Sequence, residues 1–160
     1  MKLSTFSKRE LEEALIQNGL RATRQREHVY AVLLSQRDHP TADEVYARSK
    51  GDMPSISLAT VYNCLETLVE CDLVKKLNYE REPSRFCPND GEHAHFLDED
   101  SGRVFDISLP ESFVKEVTQV LPNGFEARKV KLSFTGYAPK KPEHEVTDKN
   151  PVSEKTTTNA

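Results

Sequence analysis

The chain has 160 residues, 22 of them Lys or Arg and 26 Asp or Glu, for a net charge of −4. The apolar set makes up 36% and the charged set 30%, a globular composition with room for one compact domain or two small ones and no apolar run able to span a bilayer. The mildly acidic balance gives no global attraction to nucleic acid, three cysteines without paired spacing argue against a secreted disulfide framework, and "MKLSTFSKRELEEAL" lacks an apolar signal-peptide core, so a cytoplasmic location is expected.

The first half predicts short helices. Ser7 followed by Glu10 reads as a capping box for a helix with Leu11, Leu15 and Ile16 on one face, ending at Gly19. Thr23 is a cap for a second helix that buries Val29, Val32 and Leu33. "TADE" (41–44) is another capping box; it opens a helix with Val45 and Tyr46, and Gly51 closes it. Ser57 then starts "SLATVYNCLETLVEC", with Leu58, Val61, Leu65, Leu68 and Val69 at helical spacing.

After Asp72 the period changes. "LVKKLNY" predicts a strand, "REPS" a turn and "RFC" a short return strand. Helices followed by a β-hairpin make a winged helix-turn-helix, with the hairpin as wing and residues 57–71 as recognition helix. Beyond it "HAHFLD" and "RVFDIS" flank the hairpin signal "EDSG". "PESFVKEVTQVL" predicts a helix starting near Pro110, with Phe113, Val114, Val117 and Leu121 on one face; "PNG" breaks it, and "FEARKVKLSF" alternates as a final strand. The fold class predicted is α+β: a winged helix-turn-helix over 1–88, a small α/β domain over 89–138, and a Pro-, Lys-, Glu- and Thr-rich disordered tail over 139–160.

"FCPNDGEHAHFLDEDSGRVFD" carries the chemistry. Side chains two apart on a strand point to one face, so the imidazoles of His93 and His95 can converge on one ion. Alone the pair is weak evidence, because surface histidines with this spacing are common. Asp106 on the returning strand and His39, just before a helix of the first half, strengthen it.

"LRATRQREHVYAVL", "HPTADEVYARSK", "ISLATVYNCLETLVECDLVKKL" and "HAHFLDEDSGRVFDI" resemble, in order and spacing, the ferric uptake regulator family over roughly residues 8 to 138. The resemblance implies a DNA-binding winged helix, a hinge, an α+β dimerisation domain, and metal-dependent transcriptional control, usually repression. It implies a regulatory metal site bridging the two domains, whose positions match His39, Cys87, His93, His95 and Asp106. One divalent ion per subunit (Fe2+, Mn2+ or Zn2+), a double-stranded DNA operator, a homodimer and no membrane partner are expected with it.

This chain departs from the family at several places. Where the family generally has Asp or Glu, it has Cys87; a thiolate is softer and favours zinc or ferrous iron over manganese. The other reading of Cys87 is a buried apolar residue beside Phe86. Many family members hold a structural zinc with two Cys-x-x-Cys pairs. Here the first pair reads Asp98 and Ser101 and "YAPKKPEH" has no cysteine, so no structural zinc of four cysteines is expected. Asp98 and Ser101 read as turn formers. The family's additional regulatory site is poorly matched by Glu92 and Ala94.

For DNA, Arg21, Arg24 and Arg26 of "RATRQR" suit phosphates or a narrow minor groove, against the plainer reading of a solvated charged turn. Ser57 and Thr60 can donate to phosphate, Tyr62 can reach a thymine methyl or a backbone oxygen, and Asn63 can pair with adenine. The family commonly has Arg where Asn63 stands, and this helix has Glu66 and Glu70 but no Lys or Arg, so binding is expected to lean on Arg21 and on Lys75 and Lys76 of the wing. Cys64 and Cys71 read as packing residues.

Asp106 and "HPTADEVY" look like the family's peroxide-sensing branch; the iron-uptake branch stays open. A haem- or thiol-redox-responsive regulator of the same fold is the alternative, the former because Cys87–Pro88 is a Cys-Pro pair. A small metalloenzyme is disfavoured, because five ligands leave little room for an open coordination position; the chain is not expected to be an enzyme.

Overall fold

The structure, a computed structural model, describes residues 2–88, 91, 93–128 and 130–140, with Val114 described by its backbone alone. Four helices come first: α1 (Thr5–Gln17), α2 (Arg24–Ser35), α3 (Ala42–Ser49) and α4 (Leu58–Glu70). Three of the four caps are those the sequence predicts. Thr23 accepts the Arg26 N–H, Thr41 and Glu44 form a reciprocal capping box, and Ser57 accepts the Thr60 N–H. At α1 the cap is Ser4, not Ser7: the Ser4 hydroxyl takes the Ser7 N–H and starts the helix one turn earlier. Ile16, expected on the buried face, is exposed, while Leu11 and Leu15 are fully buried.

The strands β1 (Val74–Leu77) and β2 (Arg85–Pro88) pair antiparallel as the wing, with Lys75 opposite Cys87 and Leu77 opposite Arg85. Val74 and Phe86 join Val29, Val32, Leu33, Val61, Leu65 and Leu68 in one apolar cluster, so the hairpin is seated on the helices by one face. This is the helix–wing arrangement read from the sequence.

The second half is a three-stranded sheet in the order β4-β3-β5, from β3 (His93–Asp98), β4 (Val104–Ser108) and β5 (Ser133–Gly136). β3 and β4 are an antiparallel hairpin, and β5 returns parallel to β3 after α5 (Glu111–Gln119). The expected final strand over 125–134 is shorter than its alternation suggests. The Phe125 N–H bonds the Pro122 carbonyl in a turn through Gly124 (φ 86°), and pairing to β3 begins only at Ser133, opposite His95.

Asp98 and Ser101 do form a turn, and they do more. Ser101 Oγ donates to Asp98 Oδ2 at 2.5 Å, and Asp98 Oδ1 accepts the Ala138 N–H at 3.1 Å. A buried carboxylate thus ties the β3–β4 turn to the segment after β5. Among the described residues no helix is long and apolar enough to cross a membrane. The expected disordered tail lies, from residue 141 on, outside the described residues, as do Asn89, Asp90 and Glu92 near the expected domain boundary.

Candidate metal centre and DNA-reading face

Pairing of β3 with β4 sets His95 opposite Asp106, so imidazole and carboxylate share a face of the sheet. His93, two residues earlier, projects to that face, and its Nε2 lies 3.1 Å from His95 Nε2 and 3.3 Å from Asp106 Oδ1.

The wing supplies the next donor. On β2, Phe86 turns to the apolar cluster and Cys87 to the opposite side. Cys87 is buried, yet its sulfur lies 3.4 Å from His93 Nε2 and donates to the Pro88 carbonyl at 3.3 Å. It faces the histidines rather than the apolar cluster that takes in its neighbour.

His39 comes from the segment between α2 and α3. A residue before proline is pushed away from the right-handed helical region, and His39 adopts φ 54° ahead of Pro40. Such a conformation costs a side-chain-bearing residue about 1–3 kcal/mol and persists only where its surroundings hold it. Here β2 holds it: Arg85 Nη1 donates to the His39 carbonyl at 3.1 Å, and the Phe86 N–H donates to the Pro40 carbonyl at 3.0 Å. The same short strand therefore positions both His39 and Cys87. The His39 ring is buried, and its Nε2 donates to Asp106 Oδ1 at 2.8 Å.

One donor atom each from His39, Cys87, His95 and Asp106 lies within 4.8 Å of all the others. An ion about 2.0–2.3 Å from each nitrogen or sulfur donor needs a shell of about that size. The protonation states also suit ligands, which must present lone pairs. Burial first, then the neighbouring His93 and His39, push the His95 imidazole down to about 4, so it is neutral at pH 7. Burial opposes the Asp106 carboxylate, but the His39 hydrogen bond and the three histidines outweigh it and hold that carboxyl below its ordinary range. His39 Nδ1 is buried with no hydrogen-bond partner, an orphaned polar atom of the sort found where a ligand or ion completes a site. This donor set fits a divalent ion of the zinc or ferrous class. Arg85 had no signal in the sequence beyond standing two positions before Cys87.

At the other end of the winged helix, Arg21 and Arg24 are exposed, and Arg26 is turned back so that its Nη1 donates to the Arg21 carbonyl at 2.7 Å. Tyr62 and Asn63 are exposed on α4, and Asn63 shares a small cleft with Thr23, Gln25, Arg26 and Thr60. Ser57 and Thr60 bond each other at 2.8 Å in the cap. The wing lysines are engaged within the protein: Lys75 donates to the Gly91 carbonyl at 2.7 Å, and Lys76 pairs with Glu66 of α4 at 2.6 Å. The Lys76 pair links the wing to α4 and lowers the free positive charge on the wing. Cys64 and Cys71 are buried, and burial raises both thiols.

Comparison with known proteins places this chain among regulators. Residues 17–135 match the Ferric uptake regulator family. The peroxide-responsive repressor PerR of Staphylococcus aureus is 40% identical over 105 residues, which cover 64% of this chain and 71% of that protein. The ferric uptake regulator of Pseudomonas aeruginosa with manganese matches with a TM-score of 0.69 at 26% identity, over 83% of this chain and 98% of that one. The Campylobacter jejuni peroxide stress regulator matches with a TM-score of 0.66 at 29% identity, over 88% of this chain and 99% of that one.

Proposed function

The chain belongs to the ferric uptake regulator family and is a metal-dependent transcriptional repressor for iron or peroxide stress; we propose that His39, Cys87, His93, His95 and Asp106 hold the one divalent ion per subunit to which it responds. The observation that carries this reading is the 2.8 Å contact of His39, from the helical half, with Asp106, from the sheet half.

Residues 1–88 read double-stranded DNA through Arg21, Arg24, Ser57, Thr60, Tyr62 and Asn63, and 89–138 form the homodimer. His39 and Cys87 approach the ion from the winged helix; His93, His95 and Asp106 approach it from the sheet. Held together, they fix the angle between the halves and so the spacing of two recognition helices over two half-sites. Because one closed arrangement takes both ion and operator, each tightens the other. Where the family's first cysteine pair would stand, the Asp98–Ser101 turn is tied to Ala138 by hydrogen bonds.

The test is an operator-binding titration with metal-free protein and with added ferrous, manganous and zinc ions, beside elemental analysis of the purified protein. Ion-dependent binding with about one ion per subunit supports the reading; equal binding with and without ions removes it. Peptide mass mapping after the ferrous protein meets peroxide separates the branches. One oxygen on His39 or His93 marks a peroxide sensor, oxygen on Cys87 alone a thiol switch, and neither an iron- or zinc-level sensor.

A further inference from the structure

His39 reaches the ligand cluster from a backbone it would not adopt unaided. Its φ is 54°, and Pro40 follows it. The left-handed region is disfavoured for a residue with a side chain, and a following proline pushes it towards extended backbone. Left to relax, the residue would carry its imidazole off Asp106, which it meets at 2.8 Å.

Arg85 is placed to prevent that. It is the first residue of β2, paired with Leu77 across the wing and bridged to Thr41 on its other edge. Its Nη1 donates to the His39 carbonyl at 3.1 Å and lies 3.7 Å from Glu44 Oε2. That same carboxylate oxygen accepts the Thr41 N–H at 2.7 Å in the α3 cap, so the guanidinium is oriented by a group that is itself held. A Cβ on Gly102 would stand 4.0 Å from Arg85 Nη2, so the guanidinium also reaches the β3–β4 turn of the sheet half. The Arg85 side chain is 17% exposed, which leaves little of it for a phosphate.

We propose that Arg85 is a positioning residue of the metal site: by gripping the His39 carbonyl it keeps the His39 imidazole among the ligands and so sets the affinity of the site for its ion. This rests on the metal-site reading above. Arg85 is not itself a ligand, because a guanidinium stays protonated and offers no lone pair. Where a protein holds its binding conformation only part of the time, apparent affinity falls by that fraction. Loss of an outer partner of a metal ligand typically costs roughly 10–100-fold. The strand β2 then carries one ligand, Cys87, and the grip on another, His39, two residues apart.

The experiment uses the full chain with zinc as the probe ion and competition with a chelating dye as the readout. Arg85→Met, which removes the donor, is measured in the native background and in the His39→Ala background. The expected result is a loss of zinc affinity of roughly 10–100-fold in the native background and no further loss in the His39→Ala background, where no imidazole is left to position. Arg85→Lys, which keeps the charge without the planar fork, should fall between native protein and Arg85→Met, and it carries the same comparison if the Met variant fails to fold. Unchanged zinc affinity of Arg85→Met in the native background overturns the role of Arg85 while leaving the site intact. An equal loss in both backgrounds also overturns it, because a general structural role does not depend on His39. Native protein that binds no zinc, ferrous or manganous ion overturns the site itself and the role of Arg85 with it.

Discussion

His39 Nε2 lies 2.8 Å from Asp106 Oδ1, although 67 positions separate the two residues. Neither half of the chain contains this contact alone. The strand β2 makes it possible, because Arg85 holds the strained His39 backbone while Cys87, two residues on, faces the same cluster.

Cys87→Asp should restore the family's commoner ligand type and shift ion preference from zinc towards manganese and iron. As a thiolate ligand, native Cys87 should release a proton on binding metal, so zinc affinity should weaken at low pH more steeply than in the Asp variant. Parallel competition titrations across pH check both; identical selectivity and pH slope in the two proteins would remove Cys87 from the ligand set.

Two substitutions separate the roles on the DNA face. Arg21→Ala should weaken binding to all sequences alike and flatten the salt dependence, as the loss of a phosphate contact does. Asn63→Ala should relax base preference at one position per half-site, by about 1–3 kcal/mol. Salt titrations on operator and scrambled DNA distinguish them, and like behaviour of the two variants would reverse the assignment.

Ile107 on β4, Phe134 on β5 and Tyr137 after it are exposed apolar side chains of the sheet half. Covering them against a second copy predicts a homodimer at micromolar concentration, with or without metal. Sedimentation checks it, and deletion of the chain after Pro139 should leave the dimer intact. A monomer in both conditions would contradict it.

The metal-free protein should lose stability on mild acidification. His95 falls from an ordinary 6.5 to about 4 through burial, His93 and His39, helped slightly by Lys75 and opposed by Asp106. Its folded pKa is depressed, so the unfolded chain binds more protons between those values and stability drops as pH falls from about 6.5 to about 4. Asp106, also depressed, adds to the loss at still lower pH. Thermal midpoints across that range check it, and His95→Gln should flatten the slope.

Much of the fold was legible because its signals are local. Thr23, Thr41 and Ser57 cap helices through bonds to residues three positions on, and Leu65 and Leu68 follow from period alone. Ser4 was missed because Ser7 and Glu10 offer the same signature one turn later. The last strand was overread because the alternation of 125–134 says nothing of the turn at Pro122, which delays pairing. At the site, His93, His95 and Asp106 were readable from strand period and hairpin. Arg85 was not, since it acts through a backbone carbonyl and leaves no pattern in sequence. The engagement of Lys75 and Lys76 was hidden for the same reason: their partners, Gly91 and Glu66, lie elsewhere in the chain.

The measurement that reaches the central claim most directly is metal-dependent operator binding by His39→Ala and His93→Ala, one change in each half, with thermal stability of the metal-free proteins recorded alongside. A shared site predicts that both variants lose the metal response and that their metal-free DNA binding matches that of the metal-free native protein. Variants that are merely less stable, while ferrous, manganous or zinc ions still strengthen their DNA binding as in the native protein, would contradict it.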